Sequence, residues 1–297
     1  MHKTASLERE GRRAETVSML LDALAGRMTV LKEPVDEAHE ILAALLDVPR
    51  HWPKLHADDR VEGDVWRRAC IAADRRAVGA PVQYAVGRAS FRKLTLDVDE
   101  RVLIPRPETE LLVDLVLQRC THGTVADVGT GSGAIAVALA TEGAYEHVFA
   151  TDISSDALDV ARANAARYAG VTKAEMTFVH ADLLLSAAVR RPLSAVVSNP
   201  PYISYNEIDD LPAAVRDWEP AMALFSPDDG MATTRRLVQQ AAGRLVAGGL
   251  LALEVDARRA SLVAELVATD DRYERVSVQL DLAGRERFVL ATRREQP

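Results

Sequence analysis

Two spacings of hydrophobic residues divide the chain, and they meet at Gly79-Ala80-Pro81. From about Glu15 to Val78, apolar residues return every three or four positions. Val17, Leu20, Leu21 and Leu24 make one such stripe, and Ala38, Ile41, Leu42 and Leu45 make another. That is the period of a helix with one buried face. Pro34 followed by Asp36 marks a helix start and Pro53 marks a break, while Val65, Trp66, Ala69, Ile71 and Ala72 fit a further helix. Residues 1–78 are therefore expected to form a small helical bundle, with a polar, frayed stretch over about the first ten residues.

Beyond the boundary the period shortens. Leu94, Leu96 and Val98 alternate with polar residues, and Asp99-Glu100 can turn the chain into Val102-Leu103-Ile104. Residues 79–107 thus read as a linker containing a β-hairpin. Pro105-Arg106-Pro107 ends it, and Thr109 is placed to cap a helix carrying Leu111, Leu112, Leu115 and Val116. After Cys120, short apolar runs alternate with helical stretches. The runs at 124–128, 147–151, 176–179, 195–198, 250–254, 275–280 and 287–291 predict seven strands in an α/β domain over 108–297. Strands alternating with helices argue for a mostly parallel sheet covered on both faces. The last two runs are joined only by Asp281-Leu282-Ala283-Gly284, too short for a parallel crossover, so the final strand is expected to run antiparallel.

Composition narrows the function classes. The chain has 297 residues, enough for two domains, and 48% of them are hydrophobic. A formal net charge of −8 and a pI near 5.5 argue against a protein that grips nucleic acid nonspecifically. Two cysteines, Cys70 and Cys120, make neither a disulfide framework nor a metal cluster and read as reduced thiols. The seven histidines show no ligand spacing, so no metal is expected. No apolar run approaches the ~20 residues that span a bilayer. The N-terminal stretch from Met1-His2-Lys3-Thr4 onward is charged and lacks the apolar core of a signal peptide, which makes the cytoplasm the expected location.

Two motifs carry the chemistry. Asp127-Val128-Gly129-Thr130-Gly131-Ser132-Gly133 leaves a predicted strand and opens a helix. Glycine permits the tight turn and lets a ligand approach where a Cβ would stand. Asp152 ends the next strand, 19 residues after Gly133, where a carboxylate can accept hydrogen bonds from both hydroxyls of a ribose. The spacing differs from the G-x-G-x-x-G that cradles a pyrophosphate. Asp182, after the third strand, can accept from an adenine amine, with Leu183 against the ring, or can be a helix N-cap or a plain solvated loop carboxylate.

The second motif, Asn199-Pro200-Pro201-Tyr202, comes directly after the apolar run ending at Ser198. An amide nitrogen is a poor nucleophile because its lone pair is delocalised. A methyltransferase acting on it must align that nitrogen at about 3–3.5 Å from the methyl carbon and give both N–H groups an acceptor. Asn199 supplies a side-chain carbonyl. Pro200 has no N–H and can only accept. Two prolines stiffen the loop, and the Tyr202 ring can lie against a flat acceptor. Arg106 and Glu108 are placed either to line this site or to form an ion pair. Trp218-Glu219-Pro220 reads as a structural element near the acceptor loop, and His180 as structural.

Taken together, Leu103-Ile104-Pro105-Arg106-Pro107-Glu108-Thr109-Glu110, residues 127–140, Thr151-Asp152-Ile153-Ser154, residues 198–203, Glu219-Pro220, Asp229-Gly230 and residues 75–87 resemble one family. The chain is similar to HemK/PrmC-type peptide chain release factor N5-glutamine methyltransferases over roughly residues 35–292. The resemblance implies a class I, Rossmann-like methyltransferase domain behind a helical N-terminal domain and a β-hairpin linker. It implies that S-adenosyl-L-methionine binds at Gly129, Thr130, Gly131, Ser132, Gly133, Asp152 and Asn199, to which the reading of the residues themselves adds Asp182 and Leu183. It implies a target glutamine held by Asn199, Pro200, Pro201 and Tyr202, with Asn199 and Pro200 catalytic. The protein substrate would be a release factor, met by a monomer without a membrane or direct nucleic acid. The sequence departs from the family at Arg92-Lys93, at Leu183 and at Asp256. Two other enzyme readings stay open at this level: methylation of a ribosomal-protein glutamine, and methylation of an exocyclic amine in a nucleic acid. A third, from another class, is a cofactor-binding scaffold without catalysis.

Overall fold

The computed structural model describes residues 16–189 and 192–295. The frayed first ten residues expected from their polarity lie outside these. The chain forms two compact units that divide between Arg88 and Ala89.

The first unit is helical: α1 (Val17–Arg27), α2 (Pro34–Leu46), α3 (Trp52–Leu55), α4 (Gly63–Ala77) and α5 (Val82–Val86). Thr16 caps α1, its side chain accepting from Met19 N, and Pro34 opens α2 where a missing N–H costs nothing. The apolar stripes meet as the periodicity requires. Val17, Leu20, Leu24 and Met28 share one core with Ala38, Ile41, Leu42 and Leu45, and with Ala69, Ala72 and Ala73 of α4. Small residues on α4 let the helices approach closely. Ile71 of that helix is exposed. Arg76 holds Glu37 with two hydrogen bonds of 2.7 Å, joining α4 to α2.

A hairpin of β1 (Arg88–Phe91) and β2 (Leu94–Asp97) follows, all but its first residue in the second unit. This corrects the expected pairing. Leu94 and Leu96 do belong to a strand, but its partner lies upstream, and among the described residues 98–104 forms no strand. The turn is Arg92-Lys93, with Arg92 in the left-handed region at φ 55. Neither residue is a usual hairpin-turn residue. Tertiary contacts hold the turn instead. The Arg92 guanidinium donates to Glu142 at 2.8 and 2.9 Å, pairs with Asp114 at 2.8 Å and reaches the Glu110 carbonyl at 2.9 Å.

Next come α6 (Pro107–Arg119), β3 (Thr124–Val128), α7 (Ala134–Glu142), β4 (His147–Asp152), α8 (Ser155–Arg167), β5 (Glu175–His180) and β6 (Leu193–Ser198). The chain continues through a 3-10 turn (Tyr205–Asp210), α9 (Ala213–Arg216), α10 (Ala221–Leu224), α11 (Ala232–Ala242), β7 (Leu245–Glu254), α12 (Ala260–Ala268), β8 (Tyr273–Leu280) and β9 (Glu286–Arg293). The seven strands from β3 to β9 form one sheet in the order β5-β4-β3-β6-β7-β9-β8. The first five pair in parallel, and β9 runs antiparallel between β7 and β8. The class I, Rossmann-like α/β sheet expected from the sequence is therefore present.

Side-chain alternation divides the strands between two cores. Val125, Val148, Ala150, Ala195, Val197, Leu250 and Ala252 join residues of α6 and α7 on one face. Ala126, Val128, Phe149, Val196, Leu251 and Leu253 join α11 and α12 on the other. All five residues of β3 are buried, as a central parallel strand requires.

Candidate active site

β3, β4, β5 and β6 all end at one edge of the sheet, and the predicted site residues lie just past those ends. Asp182 comes two residues after β5, Asp152 ends β4, the glycine turn leaves β3, and Asn199 leaves β6. In sheet order, the four groups therefore span three inter-strand steps, or about 14 Å at ~4.8 Å per step. The chain leaves β3 toward β4 and β5 on one side and returns to β6 on the other, which makes β3/β6 the topological switch point. Open α/β sheets bind ligands in the crevice at such a point.

The glycine turn is held by its own backbone. Gly129 N and Thr130 N both donate to the Thr151 carbonyl, at 2.8 and 2.9 Å, and Gly133 N donates to Thr130 O at 2.8 Å. Gly129 and Gly131 have φ of +72 and +52, and a Cβ on either would enter open space. That open cradle suits close approach of a ligand to the backbone. Asp152 braces it: Oδ2 accepts from Gly131 N and Oδ1 from Ser154 N, both at 2.9 Å. Each oxygen keeps a lone-pair position for a further donor. Asn164 of α8, fully buried, donates to Ser132 O at 2.9 Å and fixes the turn from below.

Asp127 is buried, with Oδ2 accepting from Thr130 Oγ1 at 2.6 Å and Ala136 N at 3.1 Å, and with Oδ1 unpartnered. Burial, assisted by the nearby Asp152 carboxylate, pushes Asp127 up to about 7. A cationic ligand in the cradle would offset, by attraction, the cost of ionising Asp127 that burial and the Asp152 carboxylate impose. The site thus fits a ribonucleoside that carries positive charge, such as S-adenosyl-L-methionine. Among the described residues, no group of three or more His, Cys, Asp or Glu could hold a metal ion.

At the β5 end, Asp182 forms an ion pair with Arg236. Leu183 takes a left-handed φ of 57 and lies partly against the second core. Both lie at the same edge of the sheet as Asp152 and the glycine turn, and each already has a protein partner.

The acceptor loop is pinned at both ends. Ser198 Oγ donates to Val128 O at 2.6 Å, tying the start of the loop to the end of β3. Ile203 pairs with the chain at Phe225, through Ile203 N to Leu224 O at 3.0 Å and Ser226 N to Ile203 O at 2.9 Å. Gly230 lies under Tyr202: a Cβ there would stand 2.1 Å from the Tyr202 carbonyl oxygen. Only glycine fits. Pro200 is buried, while Asn199, Pro201 and Tyr202 are half-buried. Burial, with Glu254 and Asp256 near, raises Tyr202 above its ordinary value, so it keeps its proton.

Two contacts, Thr109 with Glu254 and Asn199 with Thr109, have no counterpart in the sequence reading. Thr109 is not the cap of α6. Arg106 takes that position, and the buried Thr109 hydroxyl donates to Glu254 Oε2 at 2.7 Å. Asn199 Nδ2 in turn donates to Thr109 Oγ1 at 3.3 Å. Burial pushes Glu254 up to about 7 despite that bond and the charges of Arg287 and Arg106. The sequence signal for Glu254 is a lone carboxylate ending an otherwise apolar strand. Arg106 resolves to an ion pair, with Nη2 at 2.7 Å from both oxygens of the buried Glu219.

Comparisons with known proteins bear on the family and the fold. Residues 20–87 match the family model of the PrmC N-terminal domain and residues 107–214 that of the methyltransferase small domain. A release factor glutamine methyltransferase from Moorella thermoacetica is 41% identical over 273 residues, covering 90% of this chain and 94% of the relative. One from Deinococcus radiodurans is 38% identical, covering 92% and 97%. One from Gloeobacter violaceus is 42% identical, covering 86% and 89%. Among solved structures, a methyltransferase from Pyrococcus furiosus aligns with a TM-score of 0.51 at 17% identity, over 68% of this chain and 90% of that one. The hMettl16 catalytic domain in complex with the MAT2A 3'UTR hairpin 1 aligns with a TM-score of 0.56 at 15% identity, over 75% and 80%. These last two likenesses concern the fold alone.

The raised carboxyls have a measurable consequence. In the folded chain Asp127 titrates near 7 instead of its ordinary 3.8. Between those values the folded state holds a proton that the unfolded state has lost, so stability falls as pH rises through the window. Glu254 acts with the same sign. Without ligand, the chain should be more resistant to urea at pH 5 than at pH 8, and Asp127→Asn should reduce that difference. An undiminished difference in the variant would show that Asp127 does not change its protonation state between these pH values.

Proposed function

The chain belongs to the release factor glutamine methyltransferases, and from that premise we propose that it methylates N5 of the glutamine in the Gly-Gly-Gln motif of peptide chain release factors. The methyl donor is S-adenosyl-L-methionine. The observation that carries the reading is the pinned Asn199–Tyr202 loop, tied through Ser198 to the end of β3 beside the glycine cradle.

When bound, the cofactor supplies a methyl group on a sulfonium, an electrophile that needs no metal and no nucleophilic side chain. The chain's own residues do the rest. Gly129, Thr130, Gly131, Ser132 and Gly133 provide the backbone cradle. Asp152 accepts from the ribose hydroxyls with the lone pairs its backbone bonds leave free. Asp182 accepts from the adenine amine through the oxygen that Arg236 does not engage, and Leu183 lines the ring. Asn199 Oδ1 and the Pro200 carbonyl each accept one N–H of the target amide, which turns the nitrogen lone pair toward the methyl carbon. Pro201 keeps the loop rigid, and Tyr202 presents its ring to the amide plane. With the cofactor bound, the sulfur–methyl bond would break as the bond to nitrogen forms, leaving a neutral thioether, and the surplus proton would leave the nitrogen for solvent water, since a neutral amide oxygen accepts the hydrogen bond but does not keep the proton. Alignment of this kind is worth several orders of magnitude in rate.

The protein is proposed to act as a cytoplasmic monomer that does not touch nucleic acid directly. The net charge of −8 and the two free thiols, Cys70 and Cys120, support this. Among the described residues, no helix is long and apolar enough to cross a membrane. The helical unit before Arg88 is proposed to dock the protein substrate, because the glycine cradle and acceptor loop read only a cofactor and one side chain. This assigns 1–78 to docking, 79–107 to a linker and 108–297 to catalysis.

The test is transfer of radiolabelled methyl to a release factor, with its Gly-Gly-Gln glutamine variant, ribosomal proteins and DNA as comparisons. Label should enter only the intact release factor; label in the glutamine variant would place the modification elsewhere. Asn199→Ala should remove most of the turnover, since an acceptor needed in the transition state is gone. Asp152→Ala should weaken cofactor binding by about 1.5–3 kcal/mol in calorimetry while the fold survives. Near-normal values for either variant would remove that residue from its role. A chain starting at Ala89 should bind the cofactor normally and lose kcat/KM on intact release factor. An unchanged kcat/KM would mean that the bundle does not dock the substrate.

A further inference from the structure

An asparagine amide has nearly the same shape either way round, yet only one orientation offers an acceptor to a substrate N–H. Something must choose between them. We propose that Glu254 is a positioning residue: through the Thr109 hydroxyl it fixes the orientation of the Asn199 amide and keeps Asn199 Oδ1 facing the substrate nitrogen. The inference rests on the reading of Asn199 as the acceptor of the amide N–H.

Counting protons decides the orientation. Thr109 has a single hydroxyl hydrogen, and its oxygen lies 2.7 Å from Glu254 Oε2. An ionised carboxylate can only accept, so that hydrogen is committed to Glu254. The Thr109 oxygen then has only lone pairs left for Asn199. Of the two ends of the Asn199 amide, only Nδ2 can donate to it, and Nδ2 is the atom found 3.3 Å away. Oδ1 is left at the opposite end of the amide, and no donor among the described residues is bonded to it. Thr109 and Glu254 are 5% and 1% exposed, so water does not substitute for either partner.

Protonation of Glu254 removes the constraint. Its carboxyl can then donate to Thr109, which frees the Thr109 hydrogen to point at Asn199. Either orientation of the Asn199 amide is then satisfied. The reversed one would set an N–H against the substrate N–H. The charged groups around Glu254 are Arg287 of β9 and Arg106 and Glu108 at the start of α6, with the Tyr202 hydroxyl facing it from the acceptor loop. Burial outweighs the two arginines and brings the titration to about 7, inside the working range of a cytoplasmic enzyme.

The test uses the full chain and needs no substrate for its first part. The Asn199 side-chain amide resonances, tracked by 15N NMR against pH, should shift with a midpoint near 7. The shift should persist in Thr109→Ser and disappear in Glu254→Gln and Thr109→Val. The second part is kcat on release factor at saturating cofactor. The wild type should lose turnover below the same midpoint, and Thr109→Ser should keep that profile. Glu254→Gln and Thr109→Val should each be about tenfold slower at pH 8, the value of one lost orienting hydrogen bond, without the acid limb. Their double variant should be no slower than either alone. If Glu254→Gln does not fold, the Thr109 pair decides. A titrating Asn199 resonance in Thr109→Val, or wild-type turnover in that variant, overturns the relay. A wild type that leaves release factor unmethylated would instead overturn the functional reading, and the NMR titration would still decide the relay.

Discussion

β3 and β6 lie side by side and parallel, although the chain builds β4 and β5 on the far side of β3 before it returns to lay down β6. That reversal opens a crevice, because the segments leaving the two strands turn in opposite directions. The register pairs Asp127 with Val197, so the two motifs emerge at the same level of the sheet. Ser198 Oγ then closes the gap by donating to Val128 O. A slip of one residue in this register would move every side chain of β6 to the opposite face. Val196 would exchange cores with Val197, and Ser198 Oγ would lose Val128 O. The site therefore inherits its geometry from the packing of two apolar strands, and the polar groups refine a position already set.

Those polar groups are stabilised at some expense to the fold. Asp127, Glu219 and Glu254 are all buried carboxylates, and burial raises each of them toward the neutral form. Glu219 has a full counter-charge in Arg106. Asp127 and Glu254 have only hydroxyl or backbone partners at hydrogen-bond distance. A chain selected for stability alone would place apolar residues there. A buried Asp127 with one unpartnered oxygen is explained by a ligand that brings positive charge, and a Glu254 that burial raises despite Arg287 and Arg106 by a need to direct the Thr109 hydrogen bond. Both are properties of a methyl-transfer site.

Much of the fold is legible in the sequence, because parallel strands and amphipathic helices write themselves as periods. The seven strands, the antiparallel last strand, and the helical stripes around Leu20, Leu24, Ile41 and Leu42 all come from spacing. Spacing does not carry features decided by distant side chains. It places the hairpin one strand too late because Arg92-Lys93 has no intrinsic preference for a turn; Glu142, Asp114 and Glu110 impose it from α6 and α7. Thr109 reads as a cap because threonine before an apolar helix often is one, but its hydroxyl is engaged by a carboxylate on β7. Local signals are overridden wherever two buried polar groups from separate elements have to satisfy each other.

Asn199 shows how tightly such satisfaction limits a site. Its amide has two hydrogens and one oxygen, and the functional reading asks it to serve both the cofactor and the target glutamine. One Nδ2 hydrogen is already taken by Thr109. The oxygen must go to the substrate N–H, since no hydrogen can accept. The second Nδ2 hydrogen is then the only group left, so any contact of the Asn199 side chain with the cofactor is a donation to one of its acceptor atoms. The two roles are compatible because they use opposite ends of one amide. On the proposed relay, the Thr109 oxygen keeps that amide from turning over, so a hydroxyl on α6 supports the acceptor from outside the loop that carries Asn199.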